Sequence, residues 1–360
     1  MSNYLEYNDK IAFHPGYYLK EMVEESGLTQ EDYAKFLGTT PKNLSILIRG
    51  EQSLSIDIAT KLSRMYGTTI NYWLNLQQTY DAMQAEFLSD QELEREREVF
   101  KLLDYKYFRE NFGLPDLPRK IDEQIKSVRE FLSIASLTVL RKKDLAVSFR
   151  SYSDNLSLSN IVNANTMVQI AINMALKTKT VKFNKRKFED AVNFALTQTR
   201  NHKGFLPVVR KAFIEAGVVL VVLPNLKNSG INGATKKIDG KILLMVNDRR
   251  HFADTFWFTL FHEIGHIMNG DYGITFKDNK NESEDEADLY AQKSLIPQSQ
   301  YEKFIDSHNV FDERTICEFA ELIDQDPGIV YGRLQNDGKI DYTEQVLSAK
   351  LRHRYNVSIV

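Results

Sequence analysis

His262, Glu263, Ile264, Gly265 and His266 form an HExxH motif, and this spacing constrains the chain more than any other stretch. Two histidines four residues apart share a face only on a helix, so the motif demands an α-helix that aims both imidazoles at one point. The glutamate beside the first histidine then stands where it can take a proton from a metal-activated water. The alternative is an amphipathic core helix holding two histidines with ordinary partners.

A catalytic zinc takes three protein ligands and keeps one position open. One arrangement continues the motif with a glycine three residues on and a histidine six residues on. Those places hold Asn269 and Tyr272, so it is excluded. The other takes a glutamate from a second helix, and residues 282–291 supply one. Carboxylates crowd the start of that helix, where capping alone would account for them; Ser283 and Glu286 fit a capping box. Periodicity separates them, because Glu284, Ala287, Asp288 and Ala291 share one face. The expected ligands are therefore His262, His266 and Glu284, with Zn2+ as the cofactor. Glu263 is the expected catalytic base and then acid. Asp288 is expected to accept a hydrogen bond from a ligand histidine, and the two alanines to let the helices close up. Tyr272, Tyr290, Arg250 and His251 stay open as donors to a developing oxyanion. The apolar strand at 242–246 either pairs with an extended substrate or is a core strand.

A chain of 360 residues is expected to hold two or three domains. One cysteine, Cys317, excludes an intrachain disulfide and a multi-cysteine metal site, and it fits a cytoplasmic setting. Residues 1–10 lack an apolar signal core, and no run approaches a membrane span. A net charge of −3 excludes wholesale coating of nucleic acid, so any DNA contact must be local.

The first 80 or so residues read as short helices with tight turns: 14–26, a second opened by Thr29, a third opened by Thr40 and Pro41, then 55–66 and 70–87. Helices continue at 91–108, 121–134, 163–175 and 187–199, and the charged run of 92–98 reads as a solvated helix face. Past residue 205 come a helix at 206–216, strands at 218–223 and 242–246, and the metal helix at 253–268, a small α+β domain. Beyond about residue 325 the chain reads as short and irregular. The expected domains are 1–89 (helix-turn-helix), 90–204 (helical), 205–340 (metallopeptidase) and 341–360 (tail). The fold class is thus mostly α, with one small α+β domain.

Helix-turn-helix geometry puts the start of its second helix into the major groove. Thr40, Lys42, Asn43 and Ile46 would then face base edges, and Gln30, Ser45 and Arg49 phosphates, with Leu37, Leu44, Leu47 and Ile48 in the core. Against this, residues 11–80 hold six Lys/Arg and seven Asp/Glu. A homodimer, doubling the contacts, would compensate; a protein-binding helical module is the alternative.

Two resemblances cover most of the chain. Residues 13–75, through Leu28-Thr-Gln-Glu-Asp-Tyr-Ala34, Thr40-Pro-Lys-Asn-Leu-Ser45 and the stretch near Trp73, resemble the helix-turn-helix of HigA-type antitoxins and related repressors. Residues 206–335 resemble ImmA/IrrE zinc metallo-endopeptidases, on Ile231-Asn-Gly-Ala234, the HExxH helix, Glu284 to Ala291, Leu295-Ile-Pro297 and Val330 to Gln335. The second resemblance implies a zincin-like endopeptidase with His262, His266 and Glu284 on the metal positions and Glu263 on the catalytic one. Asp288 stands where asparagine is common. Together the two imply a cytoplasmic regulator that binds an operator in double-stranded DNA and cleaves a regulatory protein: a repressor, or the chain itself. The antitoxin likeness makes a toxin a candidate partner. The competing reading is a non-enzymatic antitoxin-like repressor whose metal domain is structural or sensory.

Overall fold

The structure is a computed structural model that describes residues 3–143, 145, 156–248, 252–276 and 282–354. The chain divides into two compact units, 1–95 and 96–360.

The first unit opens with a feature the sequence reading lacks, an antiparallel hairpin of β1 (Tyr4–Tyr7) and β2 (Lys10–Phe13). Its two turn residues, Asn8 and Asp9, both take positive φ, as a two-residue hairpin turn requires. Five helices follow: α1 (Pro15–Ser26), α2 (Gln30–Leu37), α3 (Pro41–Ile48), α4 (Ile56–Tyr66) and α5 (Ile70–Phe100). The side chains of Thr29, Thr40 and Ser55 each accept a backbone N–H and so open α2, α3 and α4. Leu19, Ala34, Leu37, Leu44, Leu47, Ile58, Leu62 and Trp73 form the core. The hairpin is tied to the end of α3, because the Asn3 side chain donates to the Ile48 carbonyl and the His14 N–H donates to Asn3 O at 2.8 Å. α5 corrects the sequence reading, which stopped a helix at 87 and began another at 91. Neither glycine nor proline interrupts residues 70–100, so the helix continues.

The second unit comprises α6 (Tyr105–Phe112), α7 (Ile121–Leu132), a short 3-10 turn at Leu137–Arg141, α8 (Leu158–Lys177), α9 (Lys185–Leu196) and α10 (Phe205–Glu215), then β3 (Val218–Pro224), β4 (Ile231–Ile238) and β5 (Lys241–Asp248). After these come α11 (Ala253–Asn269), β6 (Ile274–Phe276), α12 (Glu282–Leu295), α13 (Gln298–Ser307), α14 (Glu313–Leu322), α15 (Pro327–Asn336) and α16 (Gln345–Leu351). The helices α15 and α16 overturn the expectation of an irregular end beyond residue 325. The charged run of 92–98 is not wholly solvated either. Glu96 is fully buried, where it accepts from Arg129 at 2.6 Å and from the Leu137 N–H at 2.7 Å.

The four strands are ordered β3-β5-β4-β6, with β3 parallel to β5 and the other pairs antiparallel. β5 is the strand read at 242–246. It lies between two partners and is buried along nearly its whole length, so it is a core strand and has no free edge for a substrate. The sheet and α10, α11, α12, α14 and α15 enclose one apolar core. No helix among the described residues is long and apolar enough to cross a membrane.

Candidate metal centre and nucleic-acid interface

α11 lays one face on β4 and β5, and α12 and α15 pack against it. Its crossing with α12 is close because small residues meet there. A Cβ on Gly265 would lie 3.1 Å from both Ala287 Cα and Tyr290 Cβ. Ala287 and Ala291 are buried in the same seam.

This approach brings Glu284 Oε2 to 3.0 Å from His262 Nε2, and Glu284 Oε1 to 3.6 Å from His266 Nε2. The two Nε2 atoms stand 3.1 Å apart. The side chains of His262, His266 and Glu284 are 12%, 0% and 5% exposed. Donor atoms around one tetrahedral zinc, with bonds of about 2.0–2.1 Å, lie roughly 3.3 Å from each other, so this trio has the separations that one cation imposes. The charges agree. Burial would push the His262 imidazole down, but hydrogen bonds with Asp288 and Glu284 outweigh it and hold the ring up at about 10. Burial would push Glu284 up, but His262 and His266 hold it down at about 2. The cluster thus favours positive charge at its centre, as a cation site does. The residues fit the metal.

The outer ring nitrogens are held as well. His262 Nδ1 donates to Asp288 Oδ1 at 2.7 Å, and His266 Nδ1 to Asp271 Oδ2 at 3.1 Å. Ser283 Oγ donates to the same Asp271 oxygen. Ser283 therefore lies inside α12 and braces Asp271; it does not open a capping box. Asp271 escaped the sequence reading, because it follows the end of α11 and no spacing rule ties it to His266. Both carboxylates fix tautomer and ring angle. Asp271→Ala is expected to weaken metal binding by about 10- to 100-fold without unfolding the domain, as read by titration against a zinc chelator.

Glu263 is fully buried and faces Gly233 of β4. A Cβ at that glycine would stand 2.5 Å from Glu263 Oε1, so only glycine leaves room for the carboxylate. Beside the cluster opens a cleft of about 360 Å³, lined by His262, Glu284 and Asp288 with Asn232, Thr259 and Arg333 among others. Tyr272 and Tyr290 pack partly buried against the core and do not line this cleft. Arg250 and His251 lie outside the described residues.

In the first unit α2 and α3 are joined by a turn in which Gly38 takes φ +68°. Gln30, Thr40, Lys42 and Arg49 are exposed, and Asn43, Ser45 and Ile46 are half-buried. Several are engaged already. Thr40 caps α3, Asn43 donates to Thr39 Oγ1 at 2.9 Å, and Arg49 reaches Ser45 at 2.6 Å and grips Glu51 at 2.8 and 2.9 Å. The Glu51 pairing neutralises much of the Arg49 charge, leaving Lys42 as the exposed cation at the start of α3. Gln52, which donates to Asn43 Oδ1 at 3.3 Å, shares this face and was not singled out in the sequence.

Residues 19–73 match the helix-turn-helix family model, and residues 217–324 match that of the IrrE N-terminal-like domain of the M78 peptidases. The chain belongs to the DNA-binding helix-turn-helix regulators and carries an IrrE-type peptidase-family domain. Virulence-associated protein I of Dichelobacter nodosus is 34% identical over 80 residues, 22% of this chain and 74% of that protein. An uncharacterized HTH-type transcriptional regulator of Escherichia coli (strain K12), YddM, is 32% identical over 79 residues, 21% of this chain and 84% of its own length. Among solved structures, an addiction module antidote protein of the HigA family from Coxiella burnetii aligns over 23% of this chain and 91% of that one, at 31% identity and a TM-score of 0.21.

Proposed function

We propose that this chain is a cytoplasmic regulator that binds an operator as a homodimer, and that its IrrE-type domain is a zinc-dependent endopeptidase acting on a regulatory protein. One observation carries the enzymatic half: His262, His266 and Glu284 converge from two helices on one point, with Glu263 following the first ligand. When bound, zinc supplies a Lewis acid that activates a water and polarises a peptide carbonyl. The protein does the rest. Asp288 and Asp271 hold the two imidazoles in the tautomer that presents Nε2 to the centre. The Glu263 carboxylate, packed away from bulk water against β4, takes the proton from the attacking water and returns it to the leaving amine nitrogen. The cleft beside Asn232 and Arg333 is where the scissile peptide lies.

The deciding experiment incubates zinc-loaded protein with the regulator or toxin encoded beside its gene, and with a tagged copy of itself, and reads fragments by mass spectrometry. A defined new terminus that chelation abolishes supports the reading. Absence of cleavage with a full complement of zinc, together with intact operator binding, would leave a non-enzymatic antitoxin-like repressor.

The regulatory half is tested separately. Lys42→Ala is expected to weaken operator binding by about 1–3 kcal/mol and to relax the base preference at the position it faces, as losing one base-edge contact does. Unchanged affinity and unchanged base preference would remove Lys42 from the interface.

A further inference from the structure

A second cluster of metal-ligating side chains lies in the same unit, away from the HExxH helix. His202 precedes α10, Asp326 caps α15, and His353 follows α16. These three sites are far apart in the chain, yet His202 Nε2 and His353 Nδ1 both reach Asp326 Oδ2, at 3.1 and 3.3 Å. All three donor atoms fall within 4.8 Å of one another.

We propose that His202, Asp326 and His353 bind a second divalent transition-metal ion of the zinc class. The donor set suits that class, since two imidazoles and a carboxylate are borderline ligands that favour zinc and its neighbours over calcium or magnesium. The two separations from Asp326 Oδ2, 3.1 and 3.3 Å, match the roughly 3.3 Å expected between ligands around one tetrahedral ion. The division of labour on Asp326 agrees. Its Oδ1 accepts the Gly328 N–H at 2.8 Å and caps α15, which leaves Oδ2 for the histidines. Asp326 is 1% exposed.

The ion has a structural consequence. The His353 carbonyl accepts the Ala253 N–H at 2.9 Å, and Arg354 forms a bridge with Phe252, so this segment runs along the start of α11. The neighbouring Arg352 grips Asp254 at 2.6 and 3.1 Å and lines the cleft. An ion at this site pins the segment that places Arg352 in the cleft wall.

The test is metal stoichiometry of the full chain by equilibrium dialysis against buffered Zn2+, with elemental analysis. Wild type is expected to hold two ions, and His353→Ala, His262→Ala and Asp326→Asn one each. His353 is partly exposed, and asparagine keeps the helix cap of Asp326, so both variants retain the fold, which circular dichroism checks. The proposal is overturned if His353→Ala or Asp326→Asn holds as many ions as wild type. The two metal readings fail separately. A single ion in wild type that only His262→Ala removes sinks this one. A single ion that only His353→Ala removes sinks the HExxH centre instead.

Discussion

Glu263→Gln is expected to lower peptide-bond cleavage by about 10²- to 10⁴-fold while leaving zinc content and operator affinity unchanged. The substitution keeps size and shape in a fully buried position and removes the negative charge, and with it the ability to accept and return a proton. Truncation to alanine would be a poorer probe, because it opens a cavity against β4. The measurement is a single-turnover cleavage rate beside zinc content by elemental analysis. A rate that stays within about tenfold of wild type, with zinc bound, would sink Glu263 as the proton carrier.

Gly233→Ala should produce nearly as large a loss without touching any residue that does chemistry. β4 is pinned on both sides, by β5 and by β6, so its backbone cannot retreat from an added methyl. Glu263 must swing away, and a displacement near 1 Å at a reacting group costs on the order of a hundredfold in rate. Zinc content should persist, because the three ligands lie on α11 and α12. Full activity in this variant would mean that the carboxylate works from another position.

The sequence was most legible where local chemistry acts alone. Thr29, Thr40 and Ser55 open α2, α3 and α4 through their own side chains, and Gly27, Gly38 and Gly67 close α1, α2 and α4 in the left-handed conformation, so the helix-turn-helix elements could be read directly. His262 and His266 were legible because helical periodicity alone aligns them, and Glu284 because Ala287 and Ala291 mark the seam on its face. What escaped depended on distant partners. β4 carries a glycine and two lysines and has no clean alternation; it is a strand because β5 and β6 flank it. β6 has three residues, too few for any pattern. Asp271 acquires its role from the turn after α11. The approach of His202 and His353 to one carboxylate was hidden, because separation along the chain leaves no spacing to read.

The hairpin at the start of the chain bears on how this regulator can be dissected. The matched helix-turn-helix segment starts at residue 19, within α1. A fragment excised on those bounds would discard both strands, the Asn3 side chain that tethers the last turn of α3, and Gly16, whose missing side chain lets α1 nestle against Leu47. Expression plasmids for the isolated helix-turn-helix module should therefore begin ahead of Asn3 and carry any purification handle elsewhere.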